Sequence, residues 1–207
     1  MRAQMALTPF APPPGLGELA LVSRPCFGET VCGDGMVARA ETDGGVTLAI
    51  LDALGHGAQA HALAREMEAW LEREPPQPPA ERLARLHRRF QGSLGAAVCL
   101  ATVQPSGLLA CASVGNALLR VLQPELSLIA GQPGTVGQAL PRLRERRLQL
   151  RAGALLLLTT DGVPEHLPAD ALEALAGLPA GRMGSQLMSN HAKWHDDAAC
   201  IVARWNP

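Results

Sequence analysis

Short apolar stretches closed by Gly, Pro, Asn or Asp turn signals come in blocks along this chain instead of alternating with helices, and that order restricts the fold more than any other feature. Leu19 to Ser23, Gly35 to Glu41 and Val46 to Leu51 are strand-like, with Asp43-Gly44-Gly45 a hairpin signal between the last two. They read as an opening β-meander. From His56 to Glu72 the apolar residues Ala60, Leu63, Ala64, Met67, Trp70 and Leu71 recur at helical spacing until Pro75-Pro76. Ala80 to Phe90, entered from Pro78-Pro79, is a second helix with Leu83, Leu86 and Phe90 on one face. The β pattern then returns in Ala96 to Val103, Leu108 to Val114, Ala117 to Leu122 and Leu126 to Ile129. Arg147 to Arg151 and Ala154 to Thr160 read as a further hairpin around Ala152-Gly153. Helices over Ala169 to Ala176 and Met183 to Ala192 precede a last strand, Ala198 to Arg204. An order of β, αα, β, αα, β predicts an α+β sandwich of mainly antiparallel sheets covered by helices.

At 207 residues the chain suits one domain, 18–207, behind a flexible Pro-rich N-terminus, 1–17. Its 18 Lys and Arg against 19 Asp and Glu give no long-range field for nucleic acid or anionic lipid, and 3% aromatic residues leave few rings to stack bases. No nucleic-acid partner is expected. No apolar run, Ala154 to Leu158 included, approaches the roughly 18 residues of a membrane span, so no membrane partner is expected either. The first residues, broken by Pro12, Pro13 and Pro14, hold no apolar leader, which predicts a cytoplasmic protein. A monomer is the expected state. Cys26, Cys32, Cys99, Cys111 and Cys200 form an odd set without a CxxC pair, and buried reduced thiols are the reading that fits.

Four acidic residues recur in one setting, at or beside the end of an apolar strand and followed by a small residue or turn. They are Asp34 in Cys-Gly-Asp-Gly, Asp52 in Ile-Leu-Asp-Ala-Leu-Gly-His-Gly, Asp161 in Thr-Thr-Asp-Gly and Asp196 in His-Asp-Asp-Ala. One such aspartate alone is an ordinary turn or cap residue. If pairing brings these strand ends together, two carboxylates about 4 Å apart repel by roughly 4 kcal/mol at an effective dielectric of 20, and a cation resolves the repulsion. Carboxylates, a backbone carbonyl and waters are the ligand set of Mg²⁺ or Mn²⁺; zinc or copper would want His and Cys at ligand spacing.

The ordered set Gly-Asp-Gly at 33–35, Asp-Ala-Leu-Gly-His-Gly at 52–57, Gly-Asn at 115–116, Thr-Asp-Gly-Val-Pro-Glu at 160–165 and Asp-Asp-Ala-Ala at 196–199 resembles the metal-dependent protein phosphatase 2C superfamily, and within it the bacterial SpoIIE-type group with its small RsbX-like members. The resemblance covers the chain from about Glu18 to Arg204. It implies a four-layer αββα sandwich with a centre of two Mn²⁺ or Mg²⁺ ions at one end of the two sheets. Carried over residue by residue, Asp52 would bridge both ions, the carbonyl of Ala53 would complete one, Asp161 and Asp196 would hold the other, and Asp34 would act on metal or water. Water activated by metal would then attack phosphorus in line, and no protein nucleophile is needed.

Ala53 stands where the family usually has Gly, which a carbonyl ligand tolerates if its φ stays negative. Asp197 is the alternative to Asp196 if the register shifts by one residue. His56 lies four residues past Asp52 and is either a proton donor to the leaving group or a solvent-facing cap of the helix. Two matches to the dinucleotide fingerprint, at Gly33 and at Gly15, lack a strand-turn-helix context. The cluster Arg142, Arg144, Arg146 and Arg147 reads as a solvated strand edge, with phosphoprotein docking as the other reading. The resemblance thus implies a free-standing protein serine/threonine phosphatase in bacterial stress signalling, acting on a phosphorylated STAS-domain protein of a stressosome or partner-switching module. The alternative from another class is a non-catalytic phosphoprotein-binding module of the same fold.

Overall fold

Val46–Ala53, Ala96–Val103 and Ala198–Trp205 carry apolar or small residues at nearly every position, so both faces of these strands need cover. The computed structural model, which describes residues 5–8 and 11–207, supplies it in four layers. Among the described residues the elements run β1 (Ala6–Thr8), β2 (Leu16–Arg24), β3 (Asp34–Ala40), β4 (Val46–Ala53), α1 (Gly57–Leu71), α2 (Pro79–Arg89), β5 (Ala96–Val103), β6 (Leu108–Val114), β7 (Leu118–Gln123) and β8 (Glu125–Ile129). They continue with β9 (Arg146–Gln149), β10 (Leu155–Thr159), α3 (Ala169–Ala176), α4 (Ala180–Asn190) and β11 (Ala198–Trp205). One sheet has six strands in the order β1-β2-β11-β10-β7-β8, the other five in the order β3-β4-β5-β6-β9, and every pairing between named strands is antiparallel.

The period-two alternation of strands sorts the core into three slabs. Leu48, Ile50, Leu156 and Leu158 point between the sheets, with Leu119 and Ile201. Ala49 and Leu51 point the other way, against Leu63 and Met67 of α1 and Leu83 and Leu86 of α2. Leu155 and Leu157 likewise meet Leu172 and Leu175 of α3 and Met183 and Leu187 of α4. This is the α+β sandwich that the pattern predicts, in the αββα layering that the resemblance implies. Each fully buried leucine contributes about 1.5–3 kcal/mol, so the aliphatic slabs outweigh the scarcity of aromatic residues.

Two expected neighbourhoods are corrected. β2 does not continue into a meander, because β2 pairs with β11 while β3 and β4 form a hairpin in the other sheet. β9 and β10 are not a hairpin, since β9 lies on β6 and β10 lies between β7 and β11. At Ala152-Gly153 the chain crosses between sheets: the Leu150 amide donates to the Gly107 carbonyl on one side, and the Gly153 amide to the Trp205 carbonyl on the other. A turn signal marks a reversal but does not say which sheet receives the next strand.

The Pro-rich N-terminal segment also contributes strand residues. β1 pairs antiparallel with β2, Leu7 opposite Val22, and β2 itself begins at Leu16, so three residues cap backbone groups that would otherwise form an open edge. Of the remaining N-terminal segment, residues 1–4, 9 and 10 lie outside the described residues. The cysteines are all free; four are buried and Cys32 is half-buried. Among the described residues no helix is long and apolar enough to cross a membrane.

Candidate metal centre

The β3–β4 register sets Asp34 directly opposite Asp52. Opposed residues share a face of the sheet, and Asp52 falls in step with Ile50 and Leu48, so both carboxyl groups enter the space between the sheets at its end. From the facing sheet, Thr160 falls in step with Leu158, and its hydroxyl donates to Asp34 Oδ2 at 2.7 Å. The same hydroxyl accepts from the Ala199 amide at 2.9 Å, which ties the ends of β10 and β11 to the first residue of β3.

Asp161 follows directly. The Asn116 amide, at the crossing from β6 to β7, donates to its Oδ2 at 2.6 Å. Gly162 must lack a side chain, because a Cβ there would sit 2.8 Å from the Ala198 Cα. Beyond it, the buried Arg120 of β7 donates to the carbonyls of Pro164 at 2.8 Å and Glu165 at 2.5 Å, and to Thr159 Oγ1 at 3.0 Å. That side chain fixes the turn that carries Asp161.

The two neighbouring aspartates before β11 have different surroundings. Asp197, 4% exposed, accepts the Cys26 amide at 2.7 Å on one oxygen and the Gly33 amide at 2.8 Å on the other. Its two carboxylate oxygens are thus occupied in pinning the loop between β2 and β3. Asp196 is only partly buried. Ala53, buried on the helix side, keeps the negative φ expected of it, as do all non-glycine residues among those described. His56 stands at the N-cap of α1, exposed and without a capping side-chain bond; its Nδ1 lies 2.8 Å from Glu29 Oε1 rather than on any of the four aspartates.

The charges explain what these acids lack. Burial, then the Asp52 carboxylate, pushes the Asp34 carboxyl well above the usual range. Burial, then Asp161, pushes Asp52 up to about 8, and burial followed by Asp161 also raises Asp196. Among the described residues no Arg, Lys or His side chain forms an ion pair with Asp34, Asp52, Asp161 or Asp196. Oxygen donors alone, mutually repelling and short of positive charge, fit a hard divalent cation and not a thiol- or imidazole-seeking one. Among the described residues, a trio of ligand atoms all within 4.8 Å of one another lies elsewhere, at Cys26, Glu29 and His56.

Sequence reasoning placed the four aspartates at one end but missed the supports. Thr160 and Asn116 sit inside quoted motifs, whereas Arg120 was visible only as a lone basic residue in an apolar strand. Such a residue must find partners, and here they are 39 to 45 residues away.

The chain matches the family described as Stage II sporulation protein E (SpoIIE) over residues 42–206, which includes every one of these acids except Asp34. No curated protein matches it. Among solved structures, a chain from the bacterial stressosome, described as a modular system adapted to control secondary messenger signalling, superposes with a TM-score of 0.83 at 29% identity, over 90% of this chain and 98% of that one. RsbX in complex with magnesium gives 0.77 at 15% identity, over 98% and 100%. The S. agalactiae serine/threonine phosphatase gives 0.74 at 12% identity, over 92% and 99%. At their identities the last two establish the shared fold.

Proposed function

The chain belongs to the SpoIIE family, and from that premise we propose that it is a metal-dependent protein serine/threonine phosphatase that hydrolyses phosphoserine or phosphothreonine. One observation carries the reading: acids from both sheets meet at one end of the sandwich, and among the described residues no cationic side chain is paired to them. Two Mn²⁺ or Mg²⁺ ions would be held by Asp52, the Ala53 carbonyl, Asp161 and Asp196. Asp196 is preferred to Asp197 because the latter is committed to two backbone amides. When bound, the ions supply the charge that activates water and neutralises the phosphoryl oxygens.

The chain's own residues set up the rest. Asp34 has one oxygen held by Thr160, leaving the other for an ion or for the proton of the attacking water. Burial and the Asp52 charge raise its proton affinity, which suits that oxygen to a proton-accepting role. Asn116 orients Asp161, and Arg120 holds the turn behind it. The likeness to a stressosome chain supports a phosphorylated STAS-domain protein of a stressosome or partner-switching module as substrate.

The test is hydrolysis of an aryl phosphate and of a phosphoserine peptide with Mn²⁺, Mg²⁺ or chelator, in wild type, Asp52→Asn and Asp161→Asn. Turnover that requires metal and is lost in both variants is the expected result. If neither metal supports turnover and calorimetry detects no Mn²⁺ binding, the protein is a binding module and the reading is wrong.

A further inference from the structure

A thiol, a carboxylate and an imidazole meet outside the aspartate cluster. The ligand atoms of Cys26, Glu29 and His56 all lie within 4.8 Å of one another, and Glu29 Oε1 is 2.8 Å from His56 Nδ1. They come from two segments: Cys26 and Glu29 from the loop between β2 and β3, His56 from the turn between β4 and α1. We propose that these three residues form a separate site for one borderline divalent cation, with Zn²⁺ the ion that the donor set suits.

An exposed His–Glu contact by itself is an ordinary surface pair worth little. The difference here is the thiol. Sulfur and imidazole nitrogen select zinc over magnesium, calcium or manganese, and three protein ligands leave the fourth tetrahedral position to water. Zinc is bound at about 2.3 Å from sulfur and about 2.0–2.2 Å from nitrogen and oxygen, a shell that ligand atoms at these separations reach by small rotations of the two outer side chains. Those rotations are available, since the His56 side chain is 67% exposed and that of Glu29 32%.

The inner ligand, by contrast, is fixed. Cys26 is 6% exposed, and its amide donates to Asp197 Oδ1 at 2.7 Å. The Glu29 amide donates to the Cys26 carbonyl at 3.2 Å, and the next amide, Phe27, to the Trp194 carbonyl at 3.0 Å, so the loop is held on both sides of the thiol. Gly57 lets Glu29 approach, because a Cβ there would lie 3.1 Å from its carboxylate oxygens. Carboxylates stand on both sides of Cys26, Asp197 on its amide and Glu29 within 4.8 Å of its sulfur, and that negative charge favours a cation. Binding would form one sulfur–metal bond while the thiol's proton leaves to solvent, with no change of oxidation state. An ion there would fasten the loop that leads into Asp34 to the start of α1, and it requires nothing of the phosphatase reading.

Cobalt(II) tests this directly, because it replaces zinc and shows a near-ultraviolet thiolate-to-metal charge-transfer band that oxygen ligands cannot produce. Full-length, metal-stripped protein in excess Mg²⁺ is titrated with Co²⁺, and the Co²⁺ is then displaced with Zn²⁺. The expected result is a thiolate band that saturates at one equivalent, is removed by Zn²⁺, disappears in Cys26→Ser and persists in Asp52→Asn. Glu29→Gln and His56→Ala should each weaken Zn²⁺ binding, read by competition with a chromogenic chelator, by about tenfold or more. These two alter an exposed and a half-buried side chain and keep the test valid should Cys26→Ser fail to fold. Absence of the band in wild type, its survival in a folded Cys26→Ser, its loss in Asp52→Asn, or unchanged zinc affinity in both outer variants would each overturn the proposal. Metal-dependent turnover is measured separately, so failure here leaves the phosphatase reading standing, and the reverse holds too.

Discussion

Replacing Asp52 with asparagine should make the metal-free protein more stable, and increasingly so as the pH rises. Burial, and after it the Asp161 carboxylate, holds the Asp52 carboxyl at about 8 against an ordinary 3.8. The unfolded chain releases this proton near the ordinary value, whereas the folded chain keeps it until the pH passes about 8. Between those limits the folded state binds more protons than the unfolded state, so stability falls as pH rises and the loss is complete only above the folded value. At roughly 1.4 kcal/mol per unit, about four units set an upper bound of about 5–6 kcal/mol. Part of that is already lost by about pH 5, and part belongs to the Asp52–Asp161 pair jointly, so the gap between variant and wild type should widen by about 2–4 kcal/mol from about pH 5 to about pH 8.5. At about 2–4 °C per kcal/mol for a chain of this size, the variant's Tm should gain roughly 4–16 °C on wild type across that range. Thermal melts in chelator at the two pH values measure it. Adding Mn²⁺ should reverse the order, raising the wild-type Tm and leaving the variant's nearly unchanged. Parallel melting behaviour across the range, or a variant less stable at both ends, would refute the strain assigned to this carboxylate.

Other substitutions separate the supports from the acids. Thr160→Val removes the hydroxyl that donates to Asp34 and accepts from Ala199; it should cost about 1–3 kcal/mol in urea unfolding and lower turnover, with Thr160→Ser restoring both. Asp197→Ala leaves the buried amides of Cys26 and Gly33 unpaired and should cost about 2–4 kcal/mol by the same measurement. Mn²⁺ affinity by calorimetry then decides between the adjacent aspartates: Asp196→Asn should weaken it far more than Asp197→Asn, and the opposite order would transfer the ligand role. Arg82→Ala should cost about 3–5 kcal/mol, because this fully buried guanidinium bonds Glu41, Thr47 and the Leu71 carbonyl, yet it should leave the metal dependence of turnover unchanged.

What was legible in the sequence is what depends on near neighbours. The spacing from His56 to Glu72 predicts a helix, and α1 spans Gly57–Leu71, because an apolar stripe ended by Pro75-Pro76 has few other folds open to it. The strand ends that carry Asp34, Asp52, Asp161 and Asp196 were legible for the same reason. Sheet membership was not, since β2 and β3 are both apolar enough for either sheet, and only the pairing of β2 with β11 across the length of the chain settles it. The partners of the site were hidden in the same way. Thr160 meets Asp34 across 126 residues and Asp197 meets Gly33 across 164, so neither hydroxyl nor carboxylate could be told from an ordinary turn residue. Cys26, Glu29 and His56 show no ligand spacing because the loop before β3 and the turn before α1 are brought together by the sheet between them.

The division of the acids between the sheets would tie the proposed ion binding to the closure of the sandwich. Asp34 and Asp52 belong to the five-stranded sheet, while Asp161 and Asp196 flank strands of the six-stranded one. Along most of their length the sheets are held by aliphatic contact, Leu48 and Ile50 against Leu156 and Leu158, which is insensitive to charge. At the acidic end the hydrocarbon gives way to carboxylates, with the Thr160 hydroxyl reaching across to Asp34. Without a cation, repulsion there opposes the packing behind it. An ion present at about a hundred times its Kd returns about 2.7 kcal/mol to the folded state, similar in size to the strain worked out for Asp52. If the acids hold the proposed ions, metal affinity and the fit of the two sheets at this end would be one equilibrium, and a substitution in the intersheet slab that lets the strand ends part should weaken Mn²⁺ binding without touching a ligand.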